Sequence, residues 1–374
     1  MVLSTSVASA SLATLPPNLA DALEDMAASV TIQSGLCIKH PQYQPFQVPP
    51  EIVNRFENVP ADLKQKYLML QLRSFLYGIY YNGSLQTELA LDSDSEKQTQ
   101  FQDLENNTYF GLDLDFLTQL HQRNTGIGYF DPGWQVVEQV SEENLTVKKG
   151  GLTLYIDRQQ HLASEVTPTV GEVVAIRLPS NLMQNGFYVA VGNAGKSSER
   201  VEQGQEPIVR VYFNVTSQGA GAVMKTLTQL INAKGLPFTF KVLYNPANYQ
   251  RHDAGVLYVE RSHYLQVRGL LQLVYAEHQS HFGQQEPLFT KRLAPGLGLA
   301  EEPDRKFGQS ESFGQNRCQI LANALLEAEA FSDKPDHPEQ RLATIQRHFQ
   351  QIGLNLTRPY LNANAEDIYA PLDL

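Results

Sequence analysis

The stretch from residue 208 to residue 264 constrains the fold most, because its apolar pattern changes period twice. Residues 208–215 (IVRVYFNV) alternate, with Arg210 and Tyr212 on one face and valine and phenylalanine side chains on the other. This period of two is typical of a half-buried strand. One face of the predicted strand is therefore apolar, and the other is able to reach a ligand.

A helix and a second strand are predicted immediately after this strand. Residues 217–235 place apolar side chains at a helical spacing and end at a glycine, which is a common stop signal. In the following LPFTFKVLYN segment, Phe238 and Phe240 fall on one face and Lys241 on the other. Arg210 and Lys241 are expected to converge if the two strands are neighbours.

The patterns elsewhere predict an α+β protein with an antiparallel or mixed β-sheet, flanking helices and an N-terminal helical region. We divide the chain into an N-terminal helical or wrapping region, residues 1–130, and an α+β domain, residues 131–374. Short β-like runs separated by turn residues fill residues 134–195. Helical periods are expected at residues 20–30, 62–81, 112–124, 217–235, 261–278, 316–330 and 338–353.

Charge and cysteine content exclude several classes of function. The net charge of -11 argues against general binding to nucleic acid or to an anionic membrane. Residues 241–320 carry 9 Lys and Arg against 8 Asp and Glu, so an anionic group is expected to bind there. Cys37 and Cys318 are the only cysteines and lie far apart in sequence, which indicates a reducing compartment and offers neither a metal knuckle nor a disulfide framework. No metal and no cofactor are expected. We expect a cytoplasmic protein without a signal peptide or a membrane span.

Five segments together resemble one known family, the HopA-type family of type III secretion effectors. They are RVYFNV, LPFTFKV, YQRHDAGVLYV, RLAPGLGLAEEPD and ESFGQNRCQILANALLEA, and the likeness covers about residues 130–362. Related domains serve as the lyase component of class V lanthipeptide synthetases, which dehydrate a peptide precursor. The resemblance implies a lyase that eliminates phosphate from phosphoserine or phosphothreonine in a peptide, leaving a dehydroamino acid. A separate kinase partner would phosphorylate the peptide. The alternative is a non-catalytic effector or adaptor that binds a phosphorylated or acidic protein segment.

Elimination of phosphate requires a base, cations that hold the phosphate, and an acid for the leaving oxygen. Lys241 is the first choice as base, on the polar face of its predicted strand; a surface lysine at a sheet edge is the alternative. Arg251 lies in the spacing Tyr249-x-Arg251-x-Asp253, which in an extended chain projects all three side chains to one side. Its planar guanidinium fork suits phosphate and Asp253 would hold it in place; a structural Arg–Asp pair that clamps the loop is the alternative. Tyr249 and His252 are candidate acids, although a packed tyrosine and a surface histidine are the ordinary interpretation.

Further phosphate ligands are expected from Arg210, Arg292 and Arg317. Residues 291–317 lack a clear period, which predicts a functional loop or lid over the site. A helix that starts near Asn316 offers backbone N–H groups to an anion, and an ordinary N-cap with a surface arginine is the alternative. Glu301 and Glu302 are candidate acid or base carboxylates, and solvated loop charges are the ordinary interpretation. No nucleotide-binding, zinc-protease or kinase motif occurs.

Overall fold

The fold is taken from a computed structural model that describes residues 12–33, 36–47, 59–91, 112–163, 167–197, 206–330 and 338–374. Helices surround three antiparallel sheets, which confirms the predicted α+β class. The helices are α1 (Pro17–Ser29), α2 (Ala61–Leu76), α3 (Leu114–Arg123), α4 (Arg158–His161), α5 (Ser217–Ala233), α6 (Tyr264–His278), α7 (Phe313–Ala330) and α8 (Pro338–Gln351). A π-helical turn, Tyr77–Tyr81, continues α2.

The strands belong to a small sheet near the N-terminus, a four-stranded sheet and a seven-stranded sheet. They are β1 (Thr31–Gln33), β2 (Cys37–His40), β3 (Tyr43–Gln47), β4 (Tyr129–Gln139), β5 (Asn144–Lys149), β6 (Leu152–Asp157), β7 (Val173–Leu178), β8 (Asn181–Gln184), β9 (Phe187–Val191), β10 (Ile208–Phe213), β11 (Thr239–Leu243), β12 (Gly255–Glu260), β13 (Lys291–Ala294) and β14 (Leu297–Glu301).

The seven-stranded sheet has the order β13-β14-β10-β12-β11-β9-β8. The predicted strands at 208–215 and 239–243 are both present, yet they are not direct neighbours, because β12 lies between them. Arg210 pairs with Tyr258 of β12, and Lys241 pairs with Val256 of the same strand. Since paired residues of antiparallel strands share a face, the two cations still lie on one side of the sheet.

The other side of this sheet is apolar and belongs to the main core. Val211, Phe213 and Phe240 are fully buried in one cluster with residues of α5 and α6. The ring of Phe213 lies 5.1 Å from the ring of Phe240. This face confirms the two strand alternations read from the sequence. The opposite face of this sheet carries the polar side chains Arg210 and Lys241.

The N-terminal helices also belong to the main core. Helix α2 packs on α7 and α1 packs on α8, where Arg341 donates hydrogen bonds to the carbonyl oxygens of Ala27 and Val30. The four-stranded sheet, in the order β6-β5-β4-β7, has a small core of its own around Trp134. The predicted domain boundary at residue 130 falls inside β4.

The segment 291–317 is more regular than its sequence predicts. Strands β13 and β14 form a hairpin at residues 291–301, and α7 begins at Phe313, so the irregular part is the loop 302–312. The missed hairpin is explained by its pattern: every residue of β14 is buried, so no alternation is visible in LGLAE. We call residues 302–312 the closing loop.

Candidate functional site

A cavity of about 360 Å³ lies over the polar face of the seven-stranded sheet. Strand residues form its floor, the closing loop covers one side, and the π-helical turn forms another wall. It brings together Arg210, Lys241, Arg251 and Asp253, four of the residues singled out from the sequence. Its other lining residues are Tyr77, Tyr81, Gln184, Phe187, Tyr212, Val256, Tyr258, Lys306, Gln309, Ser310, Glu311, Ser312 and Gln315.

The amine of Lys241 is placed between aromatic rings. Its Nζ lies 5.0 Å from the centre of the Phe187 ring and 4.9 Å from that of the Tyr258 ring. Phe187 pairs with Leu243 across β9 and β11, so the strand register sets this arrangement. The rings orient the amine, because the face of an aromatic ring attracts a cation.

Arg251 is held by a carboxylate, as the Tyr-x-Arg-x-Asp spacing predicts. Its Nε and Nη2 donate to the two oxygens of Asp253 at 2.5 and 2.9 Å. Asp253 also accepts from the Tyr77 hydroxyl and from the Asn82 side chain, each at 3.1 Å. Burial by itself would raise the pKa of Asp253, but the adjacent Arg251 and these hydrogen bonds outweigh it and lower the pKa. The Arg251 guanidinium is therefore held in one orientation without a bound ligand.

A second ion cluster joins the sheet to the closing loop. Arg210 donates to Glu302, and the Nζ of Lys306 lies 2.5 Å from the other oxygen of the same carboxylate. Glu302 is 1% exposed, so the expectation of a solvated loop charge was wrong. The guanidinium of Arg210 also lies 5.0 Å from the centre of the Tyr258 ring. Two cations thus share one buried carboxylate at the rim of the cavity.

Tyrosine hydroxyls supply further donors around the cavity. Burial raises the pKa of Tyr212 to about 12, against the opposing effect of the Arg210 charge. Burial likewise raises the pKa of Tyr77 and of Tyr81, so these phenols stay protonated at neutral pH. The rings of Tyr81 and Tyr212 meet edge to face with centres 6.4 Å apart. The cavity is therefore lined by cations and by neutral phenols, and cations and O–H donors are the groups that bind a phosphate; the Tyr77 hydroxyl already donates its proton to Asp253.

Tyr249 and His252, the predicted acids, do not line this cavity. The Tyr249 hydroxyl donates to the carbonyl oxygen of Leu243 at 2.7 Å, and its ring packs on Phe116. The His252 side chain lies against Gly83, on the side of a second cavity of about 910 Å³. Burial lowers the pKa of His252, which keeps the ring neutral at physiological pH.

Arg292 and Arg317 also lie elsewhere. The Arg292 side chain is 53% exposed and lines the second cavity, 3.7 Å from Glu286. Arg317 is 1% exposed and donates to the carbonyl oxygens of Pro359 and Leu361. Because backbone carbonyl oxygens already accept from these N–H groups, Arg317 does not fit the predicted role of a phosphate ligand. The alternative, an arginine exposed at the surface after an N-cap, was wrong for Arg317, because its side chain is buried.

Two side chains cap the N-terminus of α7. The Ser312 hydroxyl accepts from the backbone N–H of Gln315 at 3.3 Å, and the Gln315 side chain accepts from that of Ser312 at 3.0 Å. This reciprocal pair is a capping box, and it uses the N–H groups that an anion would need. The N-cap interpretation of this helix start therefore fits the structure better than an anion site.

Sequence reasoning missed the π-helical turn, and within the segment 291–317, which it predicted to be a functional loop or lid, it did not single out Lys306. Tyr77 and Tyr81 reach the cavity because the wider π turn, YGIYY, places them on one wall. Three tyrosines within five residues at the end of an amphipathic helix were the available signal, since π turns are frequent at functional sites. Lys306 had no signal beyond its charge, because its place depends on the loop that carries it.

Helix α7 leaves no room beside Tyr81, which allows a stability test. Replacing Gly314 by alanine would put a methyl group into the Tyr81 ring, so we expect a loss of about 1–3 kcal/mol in the free energy of unfolding. Gly269, in α6, has open space around it, and Gly269→Ala is expected to stabilise by about 0.5–1 kcal/mol. Chemical denaturation measures both, and equal effects would contradict the packing.

Within the described residues, no group of three or more His, Cys, Asp or Glu is arranged to hold a metal ion. None of the helices in those same ranges is long and apolar enough to cross a membrane.

Comparison with known proteins gives one family. Residues 178–361 match the model of the HopA1 effector protein family, and this part of the chain belongs to that family. Strands β8–β14 and helices α5–α8 lie within the matched region, together with most of the residues that line the cavity. No curated protein matches the chain.

Two solved structures of effector proteins are similar over much of the chain. The first, from Pseudomonas syringae pv. tomato strain DC3000, has 16% identity and a TM-score of 0.41, and covers 78% of this chain and 90% of its own. The second, from Pseudomonas syringae pv. syringae strain 61, has 18% identity and a TM-score of 0.37, and covers 67% of this chain and 81% of its own.

Proposed function

We propose that this HopA1-family chain is a lyase that eliminates phosphate from phosphoserine or phosphothreonine in a peptide. One observation carries the proposal: Arg210, Lys241, Arg251 and Lys306 surround a single cavity of about 360 Å³. A phosphorylated side chain needs several cations within one small space. The same space must also contain a group that can remove a proton from the adjoining carbon.

The proposed reaction is a β-elimination with Lys241 as base. The neutral amine takes the proton from Cα, and the electrons of that C–H bond form the Cα=Cβ double bond. The Cβ–O bond breaks, and phosphate leaves with its electron pair. The products are inorganic phosphate and a dehydroalanine or dehydrobutyrine residue, so atoms and charges balance without a cofactor.

Arg251 is the proposed principal phosphate ligand. Its contact with Asp253 uses Nε and Nη2, and among the described residues its Nη1 has no hydrogen-bond partner. A guanidinium held on one edge presents its other edge to an anion with little loss of side-chain freedom. Asp253 is a positioning residue in this scheme.

Arg210 and Lys306 are proposed to neutralise the leaving phosphate. Both now contact Glu302, so this cluster carries one excess positive charge. The charge that develops on the leaving oxygens would be stabilised by ions already in place, which is an effective way to lower a barrier. Because Tyr249 and His252 lie outside the cavity, we assign the donor for the leaving oxygen to the ammonium group of Lys306.

A second candidate function is binding without turnover. It is favoured by the position of the Lys241 amine over two ring faces, which stabilises an ammonium group rather than a free base. In that case the cavity would hold a phosphorylated or acidic segment of a partner protein, and Lys241 would be one more anion ligand.

The deciding experiment is incubation with short phosphoserine and phosphothreonine peptides, followed by mass spectrometry for loss of phosphoric acid. Release of inorganic phosphate together with a dehydroamino acid supports the lyase. Release of phosphate with a restored hydroxyl would indicate hydrolysis and overturn it. Measurable binding with no loss of mass would favour the adaptor.

Replacing Arg251 by lysine is expected to weaken phosphopeptide binding about tenfold, since a point charge cannot supply the fork. The change also removes the paired contact with Asp253. Isothermal titration with the same peptides measures the affinity. The matched control is Arg347→Lys at an exposed position of α8, because Arg347 pairs with Glu327 and neither residue lines the cavity. An unchanged affinity for Arg251→Lys would remove this residue from the phosphate site.

A further inference from the structure

The two edges of the seven-stranded sheet differ in how they are protected. At one end, β13 carries Lys291 and Arg292 and contains a register irregularity. The backbone N–H of Leu372 also donates to the carbonyl oxygen of Leu293 at 2.8 Å, so the C-terminal segment partly covers this edge. Charges, bulges and covering segments are the usual means by which an edge strand avoids pairing with another chain.

At the other end, β8 has none of these features. Its sequence, NLMQ, contains no charged residue and no proline, and Leu182 and Met183 are 39% and 52% exposed. Among the described residues, β8 pairs with β9 alone. An edge strand that is neutral, exposed and partly apolar is a template for a further strand.

The register shows which backbone groups of β8 point outward. The backbone N–H of Val191 donates to the carbonyl oxygen of Ser180 at 2.8 Å, so these two residues form a hydrogen-bonded pair. Because such pairs alternate in an antiparallel ladder, Leu182 and Gln184 also bond to β9. The N–H and C=O of Met183 therefore face away from the sheet.

The side chains of β8 connect this edge to the cavity. Leu182 pairs with Val189, which pairs with Lys241, and Gln184 pairs with Phe187. Leu182 and Gln184 thus share the face that carries Lys241, and both Gln184 and Phe187 line the cavity. Met183 points to the opposite face. A strand added beside β8 would place alternate side chains on the cavity side of the sheet.

We propose that the substrate peptide binds as an additional β-strand along the outer edge of β8. An apolar residue of the added strand lies beside Leu182. Because Lys241 lies on β11, two strands further in, the peptide turns over the sheet beyond Gln184 and carries the phosphorylated residue into the cavity. This inference rests on the proposed function, because it takes a phosphorylated peptide as the ligand. Main-chain hydrogen bonds to Met183 supply affinity, and the alternate side chains supply specificity, as in other cases of strand addition.

The test compares two replacements of Met183. Met183→Pro removes an N–H that faces outward and leaves the pairing with β9 in place. Met183→Ala removes the side chain and keeps the N–H, so it is the matched control. The probes are a pool of phosphothreonine peptides with randomised flanking residues, and N-acetyl-phosphothreonine N-methylamide, which is too short to form a strand.

Met183→Pro is expected to lower kcat/KM for the peptides by about tenfold or more, with no change for the short compound. Met183→Ala is expected to retain both activities. Equal kinetics for the two variants on the peptides would overturn strand addition, as would an equal loss on the short compound. Circular dichroism confirms that each variant is folded.

Binding of the same peptides separates this inference from the proposed function. If the wild-type protein binds the peptides and eliminates nothing, the lyase proposal fails. Strand addition is then judged by fluorescence anisotropy, in which a weaker affinity for Met183→Pro than for Met183→Ala supports it. Failure of the wild-type protein to bind any peptide in the pool would overturn both.

A separate variant tests the contact between Leu182 and the apolar residue of the peptide. Leu182→Asp is expected to change the preferred peptide residue beside Leu182 from apolar to Lys or Arg, because an exposed carboxylate replaces an apolar surface. Sequencing of the peptides that react or bind reveals this preference. An unchanged preference would remove Leu182 from the interaction.

Discussion

Replacing Lys241 by alanine is expected to lower the rate of phosphate elimination by about 10²–10⁴-fold, the usual contribution of a positioned general base. Affinity for the phosphopeptide should fall much less, because Arg210, Arg251 and Lys306 remain in the cavity. Phosphate release measures the rate, and anisotropy with an unreactive analogue measures the affinity.

Lys241→Arg separates the two roles that a lysine can have here. Arginine keeps the positive charge over the rings of Phe187 and Tyr258 but does not give up its proton at neutral pH. If Lys241 is the base, this variant is as inactive as Lys241→Ala. Substantial activity of Lys241→Arg would show that the charge alone is needed. Lys234→Ala, at the exposed end of α5, is the control and should be fully active.

The second large effect is structural. Replacing Arg317 by alanine is expected to cost about 3–5 kcal/mol of the free energy of unfolding. The side chain is 1% exposed, and its guanidinium donates to the carbonyl oxygens of Pro359 and Leu361 and to the Asn316 side chain. The truncation leaves a void and three buried acceptors that have lost their donor.

Arg317→Lys tests the same residue with its charge retained. Burial lowers the pKa of Arg317 to about 10, so the native side chain is still charged at neutral pH. A single ammonium cannot reach both carbonyl oxygens with the geometry of the fork, and a loss of about 2 kcal/mol or more is expected. Chemical denaturation measures it. A weaker phosphopeptide affinity with unchanged stability would restore Arg317 as a phosphate ligand.

Local pattern was sufficient wherever a residue's neighbours in sequence decide its environment. The strand alternation around Arg210 and around Lys241 predicted which side chains share a face, and the Tyr-x-Arg-x-Asp spacing predicted the contact between Arg251 and Asp253. Short-range geometry sets both features. The segments that carry the family resemblance include both strands, and both lie within the matched residues 178–361.

Strand order, burial and long-range pairing had no comparable signal. β12 separates the two strands that we expected to be neighbours, and a polar residue such as Arg317 or Glu302 is buried because distant segments provide its partners. Tyr249 and His252 are adjacent to Arg251 in sequence, yet the turn directs all three side chains to different places. Composition and periodicity describe one segment at a time. They carry no information on contacts between segments that are far apart in the chain.

The sequence by itself determined an α+β chain, the two strand faces, the fork supported by Asp253 and the cation-rich region where an anion would bind. The tertiary structure alone decided that Lys306, Tyr77 and Tyr81 join Lys241 around one cavity, and that Arg317 and Tyr249 stay outside it. The physical reason is the range of the interactions. A strand's period is set by backbone geometry between neighbouring residues, whereas a cavity is set by the packing of segments that are far apart in the chain.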